Sequence, residues 1–256
     1  MFDEELAFAN EVADRASEIA LGFFRGTFEV SIKPDASPVT DADLAVEAMF
    51  RKMVAARFPG DGVIGEEGGA GPQAERVWVI DPIDGTKNFS DGVPIWATLL
   101  ALQVGGRGVL GVASAPALGE RYEARATEGA RCNGRPIHVS DRASISDAFL
   151  VYSSVEAWLD GPHRDAFEHL LGDTRRTRGF GDFWAHMLVA RGAADVMVEP
   201  ELAVWDWAAL KVIVEEAGGR LTAFDGSEPT HGSSVLTTNG LLHDEVVARL
   251  AMAGTR

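Results

Sequence analysis

Acidic residues with the potential for chemistry recur at four places along this chain: Asp41 and Asp43 in T-D-A-D, Glu66 and Glu67 in G-E-E-G, Asp81 and Asp84 in D-P-I-D-G-T, and Asp206 in W-D-W-A-A. Each lies at the end of a short apolar run or at a predicted helix start. Taken singly, most have an ordinary structural reading. Asp41 can cap a helix, Glu66 and Glu67 can be solvated loop charges, and Asp206 can complement a helix dipole from its first turn. Asp81 is different, because it directly follows Val77-Trp78-Val79-Ile80, a run suited to a strand buried on both faces. A carboxylate there starts near the core, where an unpaired charge is costly, so it calls for a metal or a charge partner. A proline turn is expected to separate it from Asp84. Gly85-Thr86-Lys87-Asn88 then supplies turn chemistry with freed amides. Paired carboxylates beside such amides can hold a divalent cation next to an oxyanion, the requirement of a phosphate-processing metal site. Neither a histidine pair nor a cysteine cluster points to zinc.

The elements that must position these residues can be read in order. Leu6, Val12, Ala16, Ile19 and Phe23 recur near helical spacing over residues 3–24, with Asp3 as the expected N-cap. Phe28 to Ile32 reads as a short strand, and the prolines at 34 and 38 mark a loop. Thr40 or Asp41 caps a second helix that stops before Pro59-Gly60. Val63-Ile64 is a short strand feeding the G-E-E-G loop. Trp96 to Val104 and Val109 to Ala115 read as strands joined at Gly105-Gly106, with Tyr122 to Ala126 beside them and a hairpin around Cys132-Asn133-Gly134. In the second half, strands are expected at 149–152, 194–198, 221–224 and 235–237. Helices are expected at 163–171, 182–191, from Trp205 to the Gly218-Gly219 stop, and at 242–252. This is a layered, mixed α/β pattern without clean βαβ alternation.

Bulk properties narrow the function classes. The 256 residues are 46% apolar and 24% charged, as in an ordinary globular protein. A net charge of −16 argues against nucleic-acid binding, but not against a phosphorylated substrate, since bound cations invert the local sign. The lone Cys132 excludes an intrachain disulfide, the acidic Asp3-Glu4-Glu5 start is unlike a signal peptide, and no apolar run approaches a membrane span. A cytoplasmic protein with no nucleic-acid or membrane partner is expected.

With V-I-G-E-E upstream and W-D-W-A-A followed by E-A-G-G downstream, the string W-V-I-D-P-I-D-G-T-K-N-F resembles the inositol monophosphatase family of Mg²⁺-dependent, lithium-sensitive phosphomonoesterases. The resemblance runs from P-V-T-D-A-D to the T-N-G ending at residue 240. It implies an α/β fold of layered α-β-α-β-α type with mixed sheets (the sugar-phosphatase fold). It also implies one phosphatase domain over 1–256, softly divided into 1–145 and 146–256, and a homodimer. By resemblance, about two or three Mg²⁺ ions would be held per site. Glu66, Asp81 and the Ile83 carbonyl would hold the first, and Asp81 would bridge to a second completed by Asp84 and Asp206. A third would lean on Glu66 through waters. The attacking group would be a metal-activated water acting in line on a phosphate monoester. Thr86 and Asp43, the last Asp of the family's V-T-x-x-D, would take its proton. Gly85 and Thr86 would aim amides at the phosphate, and Lys33 falls where a mobile-loop lysine often lies.

Two stretches bear on the alcohol. Lys87 stands where inositol phosphatases usually carry a second Thr or Ser. Arg178-Gly-Phe-Gly-Asp-Phe-Trp184, with Glu199-Pro-Glu-Leu202 ahead of Trp205-Asp206, resembles the bacterial histidinol-phosphatase branch. Histidinol phosphate carries an ammonium and an imidazole, which welcome acids. By resemblance Glu199 would face the substrate, Asp206 would contact both substrate and metal, and Arg178 would pair with the phosphate or a neighbouring carboxylate. A broad inositol or sugar monophosphatase is the nearest alternative. A catalytically silent regulatory protein would have lost a ligand or base, and none is missing.

Overall fold

The computed structural model describes residues 1–24, 26, 30–32, 38–71, 74–159 and 161–252. The first half runs α1 (Asp3–Phe24), β1 (Val30–Ile32), β2 (Pro38–Thr40), α2 (Asp41–Arg57), β3 (Gly62–Gly65), β4 (Gly69–Ala70), β5 (Arg76–Asp84), α3 (Thr86–Ser90), β6 (Ala97–Val104), β7 (Arg107–Ala115), β8 (Glu120–Arg125), β9 (Ala130–Cys132) and β10 (Arg135–Ile137). The second half runs β11 (Phe149–Tyr152), α4 (Glu156–Leu159), α5 (Arg164–Asp173), β12 (Arg176–Gly179), α6 (Asp182–Ala190), β13 (Val196–Leu202), α7 (Val204–Glu216), β14 (Arg220–Thr222), β15 (Ser233–Thr238) and α8 (His243–Met252). Some expectations need correction. Asp3 belongs to the first turn of α1 instead of capping it. Residues 176–179, given no element from sequence, form a strand. The strand expected to end at Ile80 continues to Asp84.

Two mixed sheets organise the molecule: an eight-stranded one in the order β10-β9-β8-β7-β6-β5-β3-β4, and a five-stranded one in the order β12-β11-β13-β15-β14. Strand alternation assigns the faces of the larger sheet. Trp78 and Ile80 of β5, with Leu100 and Leu102 of β6, meet Phe8 and Val12 of α1 and Val46 and Phe50 of α2. Their neighbours Val79, Leu99 and Ala101 face the other way, onto Phe183 and Met187 of α6 and Leu210 and Ile213 of α7. The smaller sheet packs its Val151 and Met197 against Ala185 and Val189 of α6. Its far side, with Leu150, Val196 and Leu236, is covered by α4, α5 and α8. The result is the α-β-α-β-α layering implied by the resemblance.

Helix α7 lies at the centre and is apolar around most of its circumference, as a helix buried between layers must be. Gly111 of β7 makes its approach possible, because a Cβ there would sit 2.4 Å from the Ala209 carbonyl oxygen. Among the described residues, no helix is long and apolar enough to cross a membrane.

Candidate active site

Alternation along β5 turns Asp81 to the same face as Val79, toward α7. Undisturbed alternation would send Asp84 to the opposite face. The register prevents this: Asp81 pairs with Leu99 and Asp84 with Ala97, so three steps on β5 match two on β6. This bulge returns Asp84 to the side of Asp81, while Ile83 joins Phe89 and Trp96 on the other side. Asp206, in the first turn of α7, completes the group. Carboxylate oxygens of Asp81, Asp84 and Asp206 all lie within 4.8 Å of one another.

The local fold holds each member. Asp206 accepts from the Ala203 amide at 2.7 Å, an N3 side chain reaching back over its own helix start. Asp84 accepts from the Phe183 amide at 2.7 Å, tying the motif to α6. Gly85 precedes α3 at φ +85°, where a Cβ would also sit 2.9 Å from the Ile95 carbonyl oxygen. The Thr86 hydroxyl donates to the Ile83 carbonyl at 2.9 Å. Asp43 is fully buried at the start of α2, with its Oδ2 accepting from the Thr40 amide at 2.8 Å and hydroxyl at 2.6 Å.

Asp81, Asp84, Gly85, Thr86 and Asp206 border a cleft of about 330 Å³. Of the expected site residues, Glu66, Asp81, Ile83, Asp84, Gly85, Thr86, Glu199 and Asp206 line it together. Asp43 does not line it, although its charge is felt at Asp81. Arg178 does not join them: it is exposed on the edge strand β12 and donates to the Thr177 carbonyl at 2.7 Å. Lys33 lies outside the described residues.

Two cleft residues carried little sequence signal. Asp182 can be read from sequence equally as a helix cap. It opens α6 with a left-handed φ of 48°, and its Oδ2 accepts from Asn88 Nδ2 at 2.7 Å. His186, which lacks ligand spacing and reads as structural or surface, is buried in the cleft wall. Its Nδ1 lies 2.7 Å from Thr237 Oγ1.

Electrostatics follow from crowding acids where water is scarce. Burial, then repulsion from Glu66 and Asp84, raises Asp81 well above the carboxylate range. Burial and Asp182 do the same to Asp84. Burial pushes Asp43 and Asp206 up to about 7 and Glu199 to about 8. Asp182 rises through burial to about 6, with Lys87 pulling the other way. Burial holds the His186 imidazole down at about 3, so it adds no positive charge. Glu66, Asp81, Asp84, Asp182, Glu199 and Asp206 thus face one lysine, Lys87, among the described residues lining the cleft.

The donor set fits divalent cations. It is all oxygen, it is short of positive charge, and Asp81 Oδ1 is buried without a hydrogen-bond partner, as is Glu199 Oε2.

Comparison with known proteins finds relatives over nearly the whole chain. The family model described as the inositol monophosphatase family matches residues 1–253. The chain is 46% identical to the histidinol-phosphatase of Mycobacterium tuberculosis over 98% of its own length and 99% of that protein. It is 42% identical to the histidinol-phosphatase of Streptomyces coelicolor, covering 96% of this chain and 97% of that one. Among solved structures, the inositol monophosphatase from Anabaena (Nostoc) superposes with a TM-score of 0.86 at 30% identity, over 98% of this chain and 96% of that one.

Proposed function

The chain belongs to the inositol monophosphatase family, and on that premise we propose that it hydrolyses histidinol phosphate to histidinol and phosphate. It is a phosphoric monoester hydrolase. The observation that carries the substrate assignment is the division of acids in one cleft. Asp81, Asp84 and Asp206 converge within 4.8 Å, while Asp182 and Glu199 line the same space from α6 and β13 outside that trio. A polyol offers only hydroxyls to such acids, whereas histidinol offers an ammonium and an imidazole, whose charges offset the negative potential. The names of the relatives at 46% and 42% identity support the same substrate.

In this reading Glu66, Asp81, Asp84, Asp206 and the Ile83 carbonyl hold Mg²⁺, the ion that suits hard oxygen donors with retained waters. Bound there, the cations supply charge neutralisation at the phosphoryl oxygens and a water acidic enough to attack near neutral pH. The chain's own residues do the rest. Gly85 and Thr86 place backbone amides beside the phosphate. Asp43 is suited to accept a proton: Thr40 holds its Oδ2, its Oδ1 is buried and unpartnered, and its pKa of about 7 matches the working pH of a general base. Relaying that proton to Asp43 would require the Thr86 hydroxyl, which here donates to the Ile83 carbonyl, to turn toward Asp43. Glu199, oriented by the Ser153 hydroxyl that donates to its Oε1, receives the ammonium together with Asp182. By likeness to the family we assign a homodimer, and from the lone Cys132, which suits a reducing compartment, a cytoplasmic location.

Comparing kcat/KM for histidinol phosphate and myo-inositol 1-phosphate under saturating Mg²⁺ tests the assignment. A preference of at least about tenfold for histidinol phosphate is expected, the discrimination that one well-placed charged contact supplies. A preference for the inositol ester would overturn it.

A further inference from the structure

Glu47 lies outside every motif discussed so far, in the middle of α2, and is 3% exposed. A carboxylate so deeply buried needs partners. It has four donors. Its Oε2 accepts from the Glu67 amide at 2.8 Å, and its Oε1 accepts from the Gly68 amide at 2.8 Å. Arg51, one helical turn on, brings Nε to Oε1 at 2.8 Å and Nη2 to the same oxygen at 2.7 Å. The Arg51 Nη2 also donates to the Gly69 carbonyl at 2.8 Å. One ion pair on α2 therefore grips three consecutive residues of the G-E-E-G-G loop, immediately after Glu66.

The loop sequence is shaped to this grip. A Cβ at Gly65 would lie 2.6 Å from the Glu47 carboxyl carbon, and one at Gly68 would lie 2.7 Å from both Glu47 Oε1 and Arg51 Nη2. Glycine on either side of the two glutamates lets the backbone close on the buried carboxylate. The two neighbouring acids, Glu66 and Glu47, then divide their work. Glu66 lines the cleft, while Glu47 spends its lone pairs on the loop and is neutralised by Arg51, adding no net charge beneath the site.

We propose that the Glu47–Arg51 pair is the positioning element that presents Glu66 to the cations, and so sets the cation affinity of the site without touching substrate. This rests on the reading of the cleft as a Mg²⁺ site. Residues that orient metal ligands typically change affinity by about 10–100-fold when removed.

The test compares wild type, Glu47→Gln and Arg51→Lys. Glu47→Gln keeps the volume but turns one acceptor into a donor facing an amide, and Arg51→Lys keeps the charge but loses the fork. Glu47→Gln should raise the Mg²⁺ concentration for half-maximal activity about 10–100-fold, with kcat at saturating Mg²⁺ recovered to within about threefold. Arg51→Lys should move it the same way by about 3–10-fold. Hydrogen exchange on the metal-free proteins should show the Glu67 and Gly68 amides losing protection in both variants, while the β5–β6 amides keep theirs. If Glu47→Gln does not fold, Arg51→Lys carries the decision through the same measurements. Unchanged Mg²⁺ dependence in a folded variant, or unchanged protection at residues 67 and 68, overturns the positioning role alone. A wild-type protein whose melting temperature and phosphatase activity ignore Mg²⁺ overturns the metal-site reading first.

Discussion

Replacing Asp81 by Asn should have opposite effects on metal-free stability and on activity. Asp81 faces Asp84 and Asp206 with carboxylate oxygens within 4.8 Å. At an effective dielectric constant of about 20, two unit charges at that distance repel by roughly 3 kcal/mol, so these two pairs alone contribute on the order of 6–7 kcal/mol in the fully ionised, metal-free protein, to which repulsion from Glu66 adds. Protons already relieve part of this, since burial and mutual repulsion hold Asp81 and Asp84 well above the usual carboxylate range. An imperfectly bonded buried amide costs about 1–3 kcal/mol in return. The net expectation is a metal-free variant more stable than wild type by about 1–3 kcal/mol at pH 8, or roughly 2–12 °C in melting temperature for a chain of this size. If Asp81 is the shared ligand proposed above, its removal should at the same time lower kcat by about 10³-fold or more, because the cations' share of a very large barrier reduction is lost. The increase in melting temperature that Mg²⁺ produces in wild type should also shrink. Differential scanning fluorimetry with and without Mg²⁺, alongside initial rates, reads all three. A metal-free variant that melts below wild type and keeps the full Mg²⁺ response would refute the reasoning, because Asp81 would then not belong to a shared charge cluster.

Glu199→Gln should reduce kcat/KM for histidinol phosphate by about 10–100-fold, the value of one charge-assisted bond, and spare a small generic monoester; equal losses on both would assign Glu199 to the cations instead. Asp43→Asn should lower kcat by about 10²–10⁴-fold with little change in KM, and wild-type turnover would remove it as the proton acceptor. Metal-free stability should fall as pH rises from 6.5 to 9. Asp43 and Asp206 at about 7 and Glu199 at about 8 lie above their unfolded values near 4, so the folded state binds more protons between about pH 4 and 8, and their contribution, full below about pH 4, finishes disappearing as pH rises through those folded values. His186 and His243, lowered to about 3 and about 4, act in the opposite sense but only below about pH 6.5. A melting temperature that stays flat or rises from pH 6.5 to 9 would contradict this. Gly85→Ala should destabilise by about 1–3 kcal/mol and depress activity, since the left-handed backbone and the Ile95 carbonyl 2.9 Å away both oppose a Cβ; wild-type stability would show that the turn before α3 can relax.

Much of the chemistry could be located in the chain by local pattern. An acid at the end of an apolar run must be partnered, glycine and proline mark turns, and alternation or helical spacing marks most elements, because each of these is decided by neighbours a few residues away. The layered fold and Asp81 of D-P-I-D-G-T were legible on those grounds, whereas the G-E-E and W-D-W acids read locally as loop and helix-start charges and gained a role only from the family resemblance. Local pattern failed where partners lie far along the chain. The bulge that brings Asp84 round to the side of Asp81 exists only in pairing with β6, so D-P-I-D read alone suggests a turn. Arg178 is as plausible a phosphate partner as any arginine until β12 proves to be an edge strand that leaves it in solvent. His186, Asp182 and Glu47 have unremarkable spacing and acquire roles through Thr237, Asn88 and the loop at 67–69, between 20 and 94 residues away. Sequence by itself determined which groups are available and which local turns present them. Only the packing of α6 and α7 between the two sheets decided which acids share a cleft, because mutual repulsion and lost hydration are properties of distances that no stretch of chain sets alone.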